Sequence, residues 1–86
     1  MANYAITFAR SARRELEALE ASILRRVIAR IDVLAQEPRL SGSRKLQGEQ
    51  NLWRIRIGDY RVVYSVDDRQ RIVDIVRIRH RREVYR

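Results

Sequence analysis

Large and small residues alternate from Tyr4 to Phe8, placing Tyr4, Ile6 and Phe8 on one face, and a period of two predicts a short strand. The period then changes. From about Ala9 to Glu20 the apolar Ala12, Leu16 and Leu19 recur at steps of three and four, with Arg13, Arg14, Glu15, Glu17 and Glu20 on the wet side. A second helical stripe, Leu24, Val27, Ile28, Ile31, Leu34 and Ala35, runs from about Ser22 to Gln36, opposite Arg25, Arg26, Arg30 and Asp32, and is stopped by Pro38. So few residues separate the helices that an antiparallel helical hairpin is expected. Residues 39–52, with Ser41-Gly42-Ser43 and Gly48, lack periodicity and are expected to form a loop.

Period two returns at Trp53-Arg54-Ile55-Arg56-Ile57 and continues through Tyr60–Val66 and the Ile- and Val-rich 72–79. Gly58-Asp59 suits a two-residue hairpin turn, and Asp67-Asp68-Arg69-Gln70 a longer one. The predicted architecture is α+β. It consists of an N-terminal strand, a two-helix hairpin and a three-stranded antiparallel meander, with the helices on one face of the sheet and residues 1–86 forming a single domain.

The hairpin turn also fixes a register. Ile57 falls opposite Tyr60, Ile55 opposite Val62 and Trp53 opposite Tyr64, so these residues, aromatics included, read as core. Arg54, Arg56 and Arg61 fall on the other face, with Arg56 directly across from Arg61, an arrangement that costs up to ~1 kcal/mol. In the last strand Arg77, Arg79 and Arg81 share one parity, but the pattern does not say which face that parity takes.

Composition narrows the chemistry. The 86 residues contain no cysteine and one histidine, which excludes thiolate catalysis and cysteine zinc sites and makes a histidine metal centre implausible; the fold is expected to be stable without a cofactor, and none is expected. The longest apolar runs fall far short of the ~20 residues of a membrane span. A soluble, cytoplasmic protein without a membrane partner is therefore expected. Lys+Arg number 19 against 11 Asp+Glu, a net charge of +8, and Lys45 is the one lysine among those cations. Arginine's planar fork suits bidentate phosphate contacts. Residues 44–86 carry a net +6, against +2 for residues 1–43. Arg13, Arg14, Arg25 and Arg26 read as ordinary helix surface, whereas the crowded strand arginines point to a polyanion.

No Ser-His-Asp arrangement and no glycine-rich phosphate loop is present. RNA can nevertheless be cut without them, by attack of a 2′-hydroxyl on the adjacent phosphate. Arginines would stabilise the phosphorane, and a tyrosine or histidine would move a proton. By their own surroundings His80 is open between a surface histidine and a proton carrier, and Tyr85, next to last in the chain, reads as a loosely packed ring.

Three segments carry a resemblance: Lys45-Leu46-Gln47-Gly48, Leu52-Trp53-Arg54-Ile55-Arg56-Ile57-Gly58-Asp59-Tyr60-Arg61-Val62-Val63-Tyr64, and Arg79-His80-Arg81-Arg82-Glu83-Val84-Tyr85. Together they resemble the RelE branch of the RelE/ParE toxin superfamily, and the order of elements matches over nearly the whole chain. The resemblance implies the toxin of a type II toxin–antitoxin pair, a ribosome-dependent endoribonuclease that cleaves mRNA and halts translation. It implies catalytic roles for Arg54, Arg56, Arg61, Tyr85 and Arg79, with Arg81 the neighbouring choice for the last arginine. RNA contact would extend over Arg54, Arg56, Arg61, Arg77, His80 and Arg81. The implied partners are a small acidic RelB-like antitoxin, the ribosome and mRNA, with operator DNA reached only through the antitoxin complex. At 54 and 56 well-studied RelE members carry lysine. Arginine is a poor proton acceptor, which shifts proton transfer toward Tyr85 or His80 and favours a weak activity away from the ribosome. The other readings are a ParE-like inhibitor of DNA gyrase and a non-catalytic RNA- or ribosome-binding module.

Overall fold

The computed structural model describes residues 3–40, 42–46, 48 and 51–84. Strand β1 (Ala5–Phe8) leads into helices α1 (Arg10–Glu17) and α2 (Ala21–Leu34). Strands β2 (Arg44–Lys45), β3 (Leu52–Ile57), β4 (Tyr60–Asp67) and β5 (Ile72–His80) follow, and a four-residue helix α3 (Arg81–Val84) ends the described chain. The strands form one sheet in the order β1-β5-β4-β3-β2. β1 runs parallel to β5, and the remaining pairs are antiparallel. Among the described residues no helix is long and apolar enough to cross a membrane.

The α+β architecture follows the sequence pattern, with three differences. Residues 39–52, expected to be a loop, contain β2, which pairs Arg44 with Arg54 and Lys45 with Trp53. Two residues are too few to show a periodicity, yet they cover the free edge of β3, and their exposed charges keep the new edge from pairing further. The tail adds α3 at Arg81, which the parity pattern groups with the last strand. Its Arg81 N–H donates to the Asp59 carbonyl at 2.7 Å, the last contact in the β4–β5 register, and Arg81 then opens the helix instead of continuing the strand with Arg77 and Arg79. Third, Ile28 was expected in the core stripe of α2 but is 40% exposed. The helix packs along its Val27–Ile31–Leu34 edge, with Ile23 beside it, and Ile28 lies one residue further round the cylinder.

Both helices pack on one face of the sheet. Ala12 of α1 and Val27, Ile31 and Leu34 of α2 meet Ile55, Ile57, Val62, Tyr64, Val66, Val73, Ile75 and Ile78. α1 lies over β5, and α2 reaches β3. Tyr64 is fully buried, and its hydroxyl donates to the Pro38 carbonyl at 2.7 Å, which ties the segment after α2 to the core. Burial pushes the Tyr64 phenol pKa up.

The β3–β4 register matches the expected one at every pair named, including Arg56 opposite Arg61. Gly58 takes φ +58° at the first central position of the turn, the place a type II′ hairpin reserves for glycine. The positive φ favours glycine there whatever the space, and the Arg26 guanidinium lies 3.2 Å from where a Cβ would stand. At the far end of β4, the Asp67 side chain accepts from the N–H groups of Arg69 and Gln70, both at 3.0 Å, and forms the next turn.

A second clamp closes the same end. Arg39 grips Asp68 with both Nη atoms, at 3.1 and 2.8 Å, and the Tyr4 hydroxyl donates to Asp68 at 2.6 Å. The Arg39 guanidinium also lies 5.3 Å from the centre of the Trp53 ring. One carboxylate thus joins the start of the chain, the segment after α2 and the β4–β5 turn. The Arg39 hydrogen bonds, then the Tyr4 one, pull the Asp68 pKa down to about 2.

Two predictions follow from these contacts. A carboxylate whose pKa is lowered on folding contributes stability that is complete above its unfolded value and is lost as pH falls through the folded value. Denaturant unfolding of the wild type should therefore steepen between about pH 4 and 2. In Asp68→Asn that part of the slope should be missing. Arg56→Glu converts a like-charge cross-strand pair into an opposite one. It should raise unfolding stability by about 0.2–1 kcal/mol, measured by the same denaturant titration.

Candidate nucleic-acid interface

β5 does not keep one alternation from end to end. Val63 pairs with Arg77 and Tyr64 with Ile75, so Val76 is an extra residue with no partner on β4. This bulge reverses the parity of the strand. Before it Val73 and Ile75 face the helices, and after it Ile78 does. Arg77 and Arg79 are thereby turned to the opposite face, where the β3 and β4 arginines stand.

The result is two cross-strand rows. Arg56, Arg61 and Arg79 stand side by side on β3, β4 and β5. The adjacent row runs Arg44, Arg54, Val63 and Arg77 from β2 to β5. Neighbours within a row have Cβ atoms about 4.5–5.5 Å apart, and successive rows are about 6.6–6.8 Å apart along a strand. Val63 sits at the centre of this face and is only 4% exposed, as befits an apolar floor between long arginine stems. Beyond it the face changes character: Ser65 pairs with Asp74, and Asp74 accepts a hydrogen bond from the Thr7 hydroxyl at 2.7 Å. The cationic surface is confined to the half of the sheet nearest the β3–β4 turn.

Among the described residues Arg56, Arg61 and Arg77 have no carboxylate within 4.0 Å. Arg79 does have one. Its Nε donates to Glu15 Oε2 at 3.0 Å, while Glu15 Oε1 accepts from the Ile78 backbone N–H at 2.8 Å. The helical pattern places Glu15 on the wet side of α1, whereas the structure directs it onto β5. Nothing in the helical period signals this, because the contact depends on how far β1 accompanies β5.

His80 and Arg81 stand apart from the rows. His80 pairs with Tyr60, has the parity of Ile78, and meets the Tyr60 ring edge-on with centroids 5.1 Å apart. Its Nδ1 accepts from the Arg82 N–H at 3.2 Å, which leaves Nε2 as the atom that carries the ring proton in the neutral form. Arg81 lies at the start of α3, 3.8 Å from the Asp59 carboxylate. Asp59, His80, Arg81 and Arg82 line an open cavity of about 610 Å³ at this corner. Arg54, Arg56, Arg61, Arg77 and Arg79 therefore come together on one face, while His80 lies on the helix side at the end of β5 and Arg81 follows it at the start of α3. Tyr85 lies outside the described residues. Among those residues no three His, Asp or Glu side chains are grouped as metal ligands.

Comparison with known proteins places this arrangement. Residues 6–85 match the family model described as the ParE toxin of the type II toxin–antitoxin system parDE. The chain is 33% identical over 84 residues to Toxin RelG of Mycobacterium tuberculosis, an alignment that covers 96% of this chain and 97% of that protein. Among solved structures, the RelBE2 toxin–antitoxin complex of M. tuberculosis superposes with a TM-score of 0.82 at 34% identity, covering 93% of each chain. The isolated E. coli RelE toxin gives a TM-score of 0.81 at 26% identity, over 95% of this chain and 90% of that one. With the family model spanning nearly the whole chain and the RelE fold reproduced, the protein belongs to the RelE/ParE superfamily and is a toxin of the type II toxin–antitoxin class.

Proposed function

We propose that this toxin is an mRNA endoribonuclease that acts on the ribosome by attack of the 2′-hydroxyl on the neighbouring phosphate. The observation that carries the reading is the pair of cross-strand arginine rows on the sheet face opposite the helices. Like charges are placed side by side there at a cost to the fold, and a phosphate between them turns that cost into binding.

In the reaction the 2′-oxygen loses its proton and attacks phosphorus, negative charge builds on the non-bridging oxygens, and the 5′-oxygen leaves with a proton. Arg61, at the centre of the Arg56–Arg61–Arg79 row, is placed to hold the scissile phosphate, with its two neighbours on the developing charge. Arg54 and Arg77 form the adjacent row and would hold a neighbouring phosphate of the chain. The guanidinium groups keep their protons throughout, so the family pattern assigns proton transfer to Tyr85. His80 and Arg81 would contact RNA beyond the rows, at the end of β5. The partner follows by the same route. Solved relatives are RelE–RelB complexes, and a RelB-like acidic antitoxin suits a chain with a net charge of +8. Operator DNA would be reached only through that complex, and a target on the translating ribosome places the toxin in the cytoplasm.

The ParE description of the matching family model favours a second reading, inhibition of DNA gyrase. Expression followed by primer extension on cellular mRNA separates the two. New cleavage ends within translated frames are expected; growth arrest with DNA damage and intact mRNA would instead establish the gyrase reading.

Tyr85→Phe should lower the cleavage rate by about 10²–10⁴-fold while leaving the fold intact. Toxicity that survives this change undiminished would point to a binding module without catalysis. Arg61→Ala should weaken both cleavage and binding of single-stranded RNA. It should also flatten the plot of log affinity against log salt by about 0.7, the share of one phosphate contact.

A further inference from the structure

We propose that Glu15 is a positioning residue that sets the Arg79 guanidinium for the substrate phosphate, an inference that rests on the ribonuclease reading above. It begins from the length of β1, which accompanies β5 only as far as the pair Phe8–Ile75. The Ala9 N–H still donates to the Ile75 carbonyl at 2.8 Å, and the chain then turns into α1. The Ile78 N–H, further along the same edge, has no strand to pair with and needs another acceptor.

Glu15, in the second turn of α1, supplies it. One carboxylate oxygen is fixed by the Ile78 backbone at 2.8 Å, and the other receives Arg79 Nε at 3.0 Å. Because main chain holds the first oxygen, the second is a rigid anchor and not one end of a loose surface pair; the Glu15 side chain is only 24% exposed. An arginine fork has five N–H donors, one on Nε and four on the Nη atoms. Engagement of Nε leaves the Nη edge directed away from Glu15, available for bidentate contact with phosphate.

The anchor has work to do. Arg79 is the end of the Arg56–Arg61–Arg79 row, and its neighbour Arg61 carries the same charge. A flexible side chain under that repulsion swings toward solvent, away from the phosphate position. Glu15 holds it at the row without touching the reacting atoms itself.

The test is Glu15→Gln in the full chain. Glutamine's carbonyl oxygen still accepts from the Ile78 N–H, so the edge remains capped while the charge facing Arg79 is removed. Cleavage of mRNA on ribosomes should fall by about 10- to 100-fold, as expected of a misplaced catalytic group. Affinity for a single-stranded RNA oligonucleotide should stay the same or tighten. In an Arg79→Ala background the same change should have less than about a twofold effect, since coupled residues do not add. Equal losses from Glu15→Gln in both backgrounds would mean that it acts only as an edge cap, and would overturn the proposal.

A second readout does not depend on cleavage. In ¹H–¹⁵N spectra the Arg79 Nε–H should exchange slowly in the wild type and rapidly in Glu15→Gln, and it should shift when the oligonucleotide is added to the wild type. Equal exchange in the two proteins would overturn the assignment. A wild type that cuts no RNA would remove the ribonuclease reading and leave the anchor to be judged by this resonance.

Discussion

Strand β5 has to satisfy two incompatible patterns, and the extra residue at Val76 reconciles them. Val73, Ile75 and Ile78 all lie in the core, which uninterrupted alternation forbids, since positions 75 and 78 have opposite parity. With Val76 left unpaired the strand changes phase once. The first half can then pair with β1 and the second half can present Arg77 and Arg79 beside Arg54, Arg56 and Arg61. Without the phase change, either Val73 and Ile75 would be turned out of the core, or Ile78 would be turned out and the two arginines buried against the helices, where an unpaired charge is far more costly than the bulge.

The same strand explains how a crowded cationic face can coexist with a small core. An 86-residue chain has little stability to spare, and each like-charge pair subtracts from it. The core side answers with residues that are almost entirely enclosed, Tyr64, Leu34, Ile55 and Ile75 among them. At one end of the sheet the Arg39–Asp68–Tyr4 clamp ties together three segments that are distant in the sequence. At the other, Glu15 places a negative charge against the end of the arginine row. Repulsion is thus confined to the open face, where a bound polyanion would relieve it.

Much of this was legible in the residues themselves. The hairpin register followed from one glycine-containing turn of known length flanked by strict alternation, and it gave Arg56 opposite Arg61. The Gly-Asp-Tyr-Arg-Val-Val-Tyr string identified the superfamily. What stayed hidden has a physical cause in each case. Ile72 to Ile78 holds apolar residues of both parities, so the bulge could be placed at several positions with equal plausibility. β2 is too short to carry a period. Ile28 lies within the breadth of an apolar stripe, and only the sheet's position decides which edge of that stripe is covered. Glu15 looked like solvent-facing helix because its acceptor role depends on where β1 stops, a tertiary fact without a local signature.

The substitution of arginine for lysine at positions 54 and 56 gains meaning from the rows. A lysine there could give up its proton near another cation, since like charges lower an amine's pKa. An arginine in the same surroundings keeps its charge. A face built from arginines therefore behaves as a fixed electrostatic template, whose charge does not depend on which neighbours are occupied. Such a template can bind phosphate and stabilise a phosphorane, but it cannot itself accept the 2′-hydroxyl proton. In the proposed reaction the division of labour is accordingly sharp: the sheet supplies charge and geometry, and proton movement is left to the tyrosine that the family pattern implies, Tyr85.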